Sequence, residues 1–293
     1  MNGFVVLLII ICILCYVGQI FFNKLFSANY SGSAAAAAPV FNTIYSVIIV
    51  VITFSLNHFA VDASPATILM GAANGFIIFM YNLGMIQAAR RGPYAFQSIV
   101  MLFASIVVLM FFSCIFWGDS LSTLQLVGVL VMLASFVFLN MGGLKYSNIK
   151  KGYYVWVIVV FFTNGFYGVF MDAQQRNYPA ERNEMIIMTF LSCAVISVIY
   201  LLTSQRGHIK EAFTMSRKTA AFAVISSASA GFAIYILMIL LAYVPGYILF
   251  TINNGSIMVL NVILCRIVLK EEMTKMSLVG IILAVISIVT LSI

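Results

Sequence analysis

Long stretches without charged residues are the feature that most constrains how this chain can fold. The longest includes the residues from Ala220 to Cys265, and charged residues divide the rest of the sequence into apolar stretches of about 20 residues, the length of a helix that crosses a bilayer. Only 8% of residues are charged and 63% are hydrophobic, whereas about 25% are charged in a typical soluble domain. The sequence therefore excludes a soluble fold and predicts an all-α integral membrane protein.

The apolar stretches predict ten transmembrane helices. The stretch from Ala220 to Cys265 is too long for one span, and the helix-breaking tripeptide Val244-Pro245-Gly246 divides it into two. The connections between spans are short, so we expect no soluble domain. The predicted spans are approximately residues 3–24, 34–56, 66–88, 93–116, 121–142, 153–173, 185–204, 219–242, 246–267 and 276–293.

The two halves of the chain resemble each other at an offset of 152 residues. Each half then contains five predicted helices, and an odd number of spans inverts the second half relative to the first. The sequence thus predicts two inverted five-helix repeats, residues 1–145 and 146–293, in one membrane domain, an arrangement typical of secondary transporters. The aligned landmarks are Pro93 with Pro245, Asp119 with Glu271, and Leu126-Val127-Gly128 with Leu278-Val279-Gly280.

Polar residues on the predicted spans form the candidate substrate-binding site. On the fourth and ninth helices they recur at spacings of three and four, which places them on one helical face. Because these helices occupy matching positions in the repeats, their stripes can face each other across a neutral, hydrogen-bonding cavity. Each amide can instead bond to a neighbouring helix, and both interpretations stay open. The stripes are Tyr94, Gln97, Met101 and Ser105, and Thr251, Asn254, Met258 and Asn261, with Asn253 beside the second stripe; further candidates are Gln19, Asn74, Tyr81, Asn82, Asn164 and Tyr167.

Catalytic and metal-binding motifs are not found in the sequence. It contains no HExxH motif, no paired aspartates on spans and no Ser/His couple on spans, so we expect no enzyme, metal or cofactor. His58 and His208 stand alone in loops. The net charge of +7 falls mainly at helix ends, where cations contact lipid headgroups, so nucleic acid is not an expected partner. The expected partners of a monomeric chain are the lipid bilayer and a small-molecule substrate.

The ends of the two repeats share one pattern. The segments Trp117–Gly128 and Leu269–Gly280 both contain a carboxylate, a short polar linker and a Leu-x-Gly opening of the last helix. In this the chain resembles the EamA-type branch of the drug/metabolite transporter superfamily, over nearly its whole length. The resemblance implies a ten-helix carrier in a bacterial cytoplasmic membrane that exports amino acids, other metabolites or drugs by alternating access.

Two features depart from what the resemblance implies. The related small multidrug resistance proteins carry a glutamate in the middle of the first helix, where this chain has Cys15, Tyr16 and Gln19. We therefore expect no proton-for-cation exchange of that kind. The acid in the matching sixth helix is Asp172, which we interpret as a solvated carboxylate at the membrane interface.

The second departure concerns orientation, because the family is described with both termini in the cytoplasm. Under that topology only Arg176 and Arg182 would face the cytoplasm, and 13 of the 15 cations would face outward. The positive-inside rule instead predicts both termini outside. The 13 cations are Lys24, Arg90, Arg91, Lys145, Lys150, Lys151, Arg206, Lys210, Arg217, Lys218, Arg266, Lys270 and Lys275.

The sequence as a whole predicts a secondary transporter of small polar or amphipathic metabolites, such as amino acids or related compounds, that works in the export direction. A multidrug or organic-cation exporter and a non-transporting membrane scaffold stay open as alternatives. Arg90, Arg91 and Arg266 either attract a carboxylate or phosphate group or act only as orientation anchors.

Overall fold

The structure is a computed structural model that describes residues 3–33, 36–92, 94–141, 149–204, 209–269 and 274–292. These residues form helices and contain no strand, and a single turn of 3₁₀-helix, Pro179–Glu181, precedes α7. The helices are α1 (Gly3–Asn29), α2 (Ala37–Leu56), α3 (Pro65–Ala89), α4 (Tyr94–Phe116), α5 (Thr123–Asn140), α6 (Tyr153–Asn177), α7 (Arg182–Ser204), α8 (Ile209–Phe213), α9 (Arg217–Leu240), α10 (Gly246–Leu269) and α11 (Lys275–Ser292).

Apart from the short helix α8, each helix of the described residues coincides with one predicted span. Within these residues, six helices are long and apolar enough to cross a membrane: α1, α2, α3, α6, α7 and α9. The helices α4, α5, α10 and α11 contain shorter apolar stretches. Large apolar side chains such as Leu14, Leu69 and Val155 are exposed on the helix surfaces, and a bilayer would cover them. These helices indicate a multi-pass membrane protein.

Local sequence signals explain where several helices begin. A capping box starts α5, since Ser122 Oγ accepts from the Gln125 backbone N–H and Gln125 Oε1 accepts from the Ser122 N–H, both at 3.1 Å. Ser216 caps α9 by accepting from the Thr219 N–H at 3.1 Å. The chain turns between α9 and α10 at Pro245, which cannot continue a helix because it lacks an N–H group. The predicted turn at this tripeptide is therefore correct.

The chain packs as two compact units. The first unit consists of Met1–Val6, Gly84–Val169 and Tyr243–Ile293, and the second unit consists of Leu7–Leu83 and Phe170–Ala242. Each unit therefore combines segments from both halves of the sequence. The repeat boundary between residues 145 and 146 concerns sequence order and stays a prediction.

In the first unit, the main helix pair is α5 with α11. Gly128 on α5 lies against the end of α11: a Cβ atom there would be 2.7 Å from Thr290 Oγ1 and 2.9 Å from Leu291 Cγ. Gly280 near the start of α11 lies against the end of α5, where a Cβ atom would be 2.6 Å from Leu139 Cγ. The two helices are therefore antiparallel, and a small residue near the start of each permits the close approach.

In the second unit, α2 packs mainly against α7 and α9. Close approach again depends on glycine. Gly71 on α3 has no room for a Cβ atom, which would be 2.5 Å from Met188 Cβ on α7, and one turn later Gly75 lies directly against the backbone of Thr189. Gly231 on α9 packs against α2, where a Cβ atom at this glycine would be 3.2 Å from Ile52 Cδ1. These contacts form the helical frame of the unit.

Candidate functional site

The predicted polar stripes of α4 and α10 meet inside the first unit. Asn254 Nδ2 on α10 donates a hydrogen bond to Ser105 Oγ on α4 at 2.8 Å. The Ser105 hydroxyl donates in turn to the Leu102 carbonyl at 2.8 Å, so both of its roles are used. Ser105 is buried and Asn254 is half-buried. The bond joins the two helices that the repeat alignment places in matching positions.

Helix α6 contacts the same face of α4 one turn earlier. Asn164 Nδ2 on α6 donates to the carbonyl oxygen of Met101 at 2.7 Å. Near this bond, Gly168 of α6 lies against the ring of Phe250 on α10, where a Cβ atom would be 3.5 Å from the ring carbons. Two helices of the first unit, α6 and α10, therefore contact one polar face of α4.

One further turn toward the start of α4, Gln97 reaches the end of α3. Its side chain is 0% exposed, and Nε2 donates to the Met85 carbonyl at 2.9 Å. Gln97 Oε1 is buried and accepts no hydrogen bond from the part of the chain that the structure describes. The side-chain nitrogen of Gln97 is therefore bonded to α3, and its oxygen has no donor among the described residues.

Asn253 provides a second vacant acceptor on α10. It is 4% exposed, and its Oδ1 is buried without a donor among the described residues. Leaving a buried acceptor unpaired costs about 1–3 kcal/mol, and native structures keep such groups mainly where water, an ion or a ligand pairs them. The two vacant oxygens can therefore accept hydrogen bonds from a bound molecule.

The other predicted residues of the first unit differ in what they offer. The Thr251 hydroxyl is buried and donates to the Tyr247 carbonyl of its own helix at 2.6 Å, so it contributes no free donor. Tyr167 on α6 is half-buried. The side chains of Tyr94 and Asn261 lie outside the described part of the structure.

Four predicted site residues lie in the second unit. Gln19 Nε2 donates to the Tyr45 hydroxyl at 3.4 Å, and Asn82 Nδ2 donates to Asn42 Oδ1 at 3.0 Å, so both of these amides link neighbouring helices. The other two residues differ from them: Tyr81 is half-buried, and Asn74 is buried with an Oδ1 that has no donor among the described residues.

A polar cluster in the second unit was not predicted from the sequence. It joins the α2–α3 connection to the start of α7. Asn57 Nδ2 donates to Glu184 Oε1 at 2.7 Å, and Asn183 Nδ2 donates to Asn57 Oδ1 at 2.9 Å. Ser64 donates to Glu181 Oε2 from its backbone N–H at 2.9 Å and from its hydroxyl at 2.8 Å. We call these five residues the carboxylate cluster. In the sequence, the polar composition of both segments was the one signal that could have indicated it.

The interpretation of Asp172 as a solvated carboxylate is wrong. Its side chain is 2% exposed, and its Oδ2 accepts from Arg176 Nε at 3.1 Å. The partner lies one turn later on the same helix, which is the spacing at which opposite charges meet. Pairing with a guanidinium compensates the charge and so permits the burial.

The second half of the chain matches a known family. Residues 151–293 fit the sequence profile of the EamA-like transporter family. The second half of the chain is therefore similar to the EamA-like transporter family. Its members are transporters of the drug/metabolite transporter superfamily and not enzymes, so the family indicates a membrane transporter of this type. The match confirms the predicted resemblance over residues 151–293, which contain the second repeat end, Leu269–Gly280.

Solved structures share the fold. One of them, a crystal structure described only as that of a protein, aligns with a TM-score of 0.78 over 99% of this chain and 96% of that chain. The two sequences are 15% identical, so the likeness concerns the fold alone. No curated protein matches the sequence.

Proposed function

We propose that the chain is a secondary transporter that exports small polar or amphipathic metabolites, amino acids or related compounds, by alternating access. The family supports a carrier, and one observation supports the location of its site. Gln97 Oε1 and Asn253 Oδ1 are buried acceptors without a donor among the described residues, on the two helices that the Asn254–Ser105 bond joins. An ammonium, amide or hydroxyl group of a substrate would supply the missing donors.

The charge of the surrounding helices narrows the substrate class. No charged residue occurs from Tyr94 to Phe116 or from Gly246 to Cys265. An inorganic ion would lose its hydration there without compensation. A molecule with a few hydrogen-bond donors and an apolar part matches amide oxygens set among apolar side chains. This composition supports an amphipathic metabolite over a bare ion.

We also infer that the fold is ten transmembrane helices arranged as two inverted repeats. The α5–α11 contacts support this: Gly128 packs against Leu291, and Gly280 packs against Leu139. Both the glycines and the leucines differ by the alignment offset, since 280 − 128 = 152 and 291 − 139 = 152. Reciprocal contacts of this kind are what a twofold axis generates between equivalent elements. An inverted repeat is also the usual frame for alternating access.

For orientation, we propose that both termini face outward from the cytoplasmic membrane, because this places 13 of the 15 cations in cytoplasmic loops. Single cysteines introduced at Asp62 and Lys151 test it in a variant without native cysteines. A membrane-impermeant maleimide should label position 62 in intact cells and position 151 only after lysis. The reverse pattern would restore the orientation described for the family.

Transport is tested in liposomes that contain the purified protein and a pooled mixture of amino acids, other metabolites and organic cations. Mass spectrometry follows which compounds leave the vesicles. We expect selective efflux of one chemical class, at least about tenfold reduced by Asn253→Leu, since a lost hydrogen bond to a charged group is worth about 1.5–3 kcal/mol. Thr251→Val is the matched control on α10, because its hydroxyl bonds only its own helix.

The outcomes separate the alternatives. Selective efflux of organic cations would favour the multidrug exporter, and absence of any selective efflux would favour the scaffold. Equal rates for the Asn253→Leu and wild-type proteins would remove Asn253 from the site. Everted membrane vesicles test direction, because an exporter carries its substrate into them.

A further inference from the structure

Two pairs of cations that are distant in sequence lie next to each other in the first unit. Arg90 and Arg91 follow α3, and Lys150 and Lys151 precede α6. The backbone N–H of Lys150 donates to the carbonyl oxygen of Arg91 at 2.8 Å. This hydrogen bond brings the two pairs together; we call these four residues the basic cluster.

The backbone that carries the basic cluster is fixed in the core. Gly92 lies against the ring of Tyr153, where a Cβ atom would be 2.5 Å from the ring. Tyr153 is buried together with Ala88 and Val157. Gly152 has φ +83°, in the left-handed region that favours glycine, and so lets the chain turn from Lys151 into α6. The backbone on both sides of the four cations is therefore held in place by packing.

Within the described part of the chain, no carboxylate pairs with these cations. Arg90, Lys150 and Lys151 are exposed, and Arg91 is half-buried. The Arg91 guanidinium donates from Nη1 to the Gln87 carbonyl at 2.7 Å and to the Gln87 side-chain oxygen. These two bonds fix the guanidinium and leave its remaining N–H groups for an external acceptor. Four adjacent like charges repel one another unless an anion compensates them.

Aromatic residues next to the basic cluster indicate its depth in the membrane. Tyr154 is 56% exposed, and Trp156 is half-buried, both in the first turn of α6. Exposed Tyr and Trp at helix ends concentrate at the level of the lipid headgroups. The cations directly preceding them therefore lie at the level of the lipid phosphates.

We propose that the basic cluster is a binding site for the phosphodiester headgroup of an anionic phospholipid, such as phosphatidylglycerol. The planar Arg91 guanidinium can bond two phosphate oxygens at once, and the exposed lysines add point charges around them. The lipid would bridge the α3–α4 and α5–α6 connections. This site does not depend on the chain being a transporter.

Native mass spectrometry of the purified protein, titrated with phosphatidylglycerol or phosphatidylcholine, tests the site. We expect saturable, preferential binding of the anionic lipid, weakened about tenfold or more in the double variant Arg91→Gln/Lys150→Gln. The matched control is Arg217→Gln/Lys218→Gln, which removes equal charge at the start of α9, where the Lys218 ammonium lies 5.8 Å from the Phe222 ring centre. Its binding should change by less than about twofold.

Equal weakening in both double variants would overturn the site and leave only general attraction between cations and lipid. No preference for phosphatidylglycerol in the wild type would overturn it as well. Glycerol phosphate serves as a soluble competitor: displacement of the lipid at equal concentration would assign the cluster to a soluble anion instead. Arg91→Lys keeps the charge without the planar fork, and intermediate binding is expected. A melting curve for each variant separates lost binding from lost folding.

Discussion

Polar side chains are placed differently in the two units. On α4, α6 and α10 of the first unit they are uncharged, bond across helices, and leave the acceptors of Gln97 and Asn253 unpaired. In the second unit, the carboxylates of Glu181 and Glu184 lie at helix connections, each held by a donor from the α2–α3 connection. Burying an unpaired amide oxygen costs less free energy than burying an unpaired carboxylate. A membrane helix can therefore keep the neutral group more easily than the charged one. The contrast is between neutral polar groups within helices of the first unit and carboxylates bonded at helix connections of the second unit.

The largest expected effect comes from removing a donor of the carboxylate cluster. Asn57→Leu leaves Glu184, which is 7% exposed, without its hydrogen bond. We expect a loss of about 3 kcal/mol in the free energy of unfolding, because a buried carboxylate loses the hydrogen bond to one of its oxygens. Chemical unfolding in mixed micelles measures it. Adding Glu184→Gln should recover part of the loss, and an unchanged midpoint for Asn57→Leu would show that the cluster does not hold the unit.

A pair of glycines compares steric tolerance in the two units. A Cβ atom at Gly75 would collide with the backbone of α7, whereas at Gly168 it would make an ordinary contact of 3.5 Å with Phe250. We expect Gly75→Ala to cost about 1–3 kcal/mol and Gly168→Ala to change stability by less than about 0.5 kcal/mol. Thermal melting of both variants checks the difference. Equal shifts would contradict the closer helix contact at Gly75 than at Gly168.

A smaller effect is expected from the hydrogen bond between α4 and α10. Ser105→Ala removes the acceptor of Asn254 Nδ2 and should cost about 1 kcal/mol. Ser113 on the same helix is the matched control, because its hydroxyl is buried without a partner among the described residues. Ser113→Ala should therefore leave the melting temperature unchanged. A larger loss at Ser113 than at Ser105 would contradict the assignment.

The smallest expected effect on stability is at Asn253. Its Oδ1 accepts no bond from the described chain, so Asn253→Leu removes no hydrogen bond of that oxygen and should cause no loss in the free energy of unfolding. Transport should nevertheless fall, as proposed above. Parallel melting and efflux measurements test this separation. A destabilised variant that still transports normally would identify Asn253 as a packing residue.

The features that were predictable from the sequence are local ones. Helix positions follow from apolar length and from Pro245, and the meeting of Ser105 with Asn254 follows from helical periodicity combined with the repeat alignment. Thr251 lies on the same stripe, yet its hydroxyl bonds its own helix, because a hydroxyl can reach the carbonyl one turn earlier and an amide often reaches further.

The features that could not be predicted depend on contacts between distant segments. Asn57 and Glu184 are 127 positions apart, and no spacing rule pairs an amide in one connection with a carboxylate in another. Asp172 is similar, because its burial is set by the helices packed around it and not by its position at a helix end. The proximity of the two cation pairs in the basic cluster likewise follows only from the hydrogen bond between Lys150 and Arg91.

The contacts between α5 and α11 constrain how this chain can change during evolution. Both helices are 18 residues long. The glycine near the start of each helix contacts a leucine near the end of the other helix. A deletion within α5 would shift Leu139 away from Gly280 and Gly128 away from Leu291 together. A compensating deletion in α11 would restore both contacts. The two halves can therefore diverge in residue type outside these contacts, but the lengths of α5 and α11 must change together.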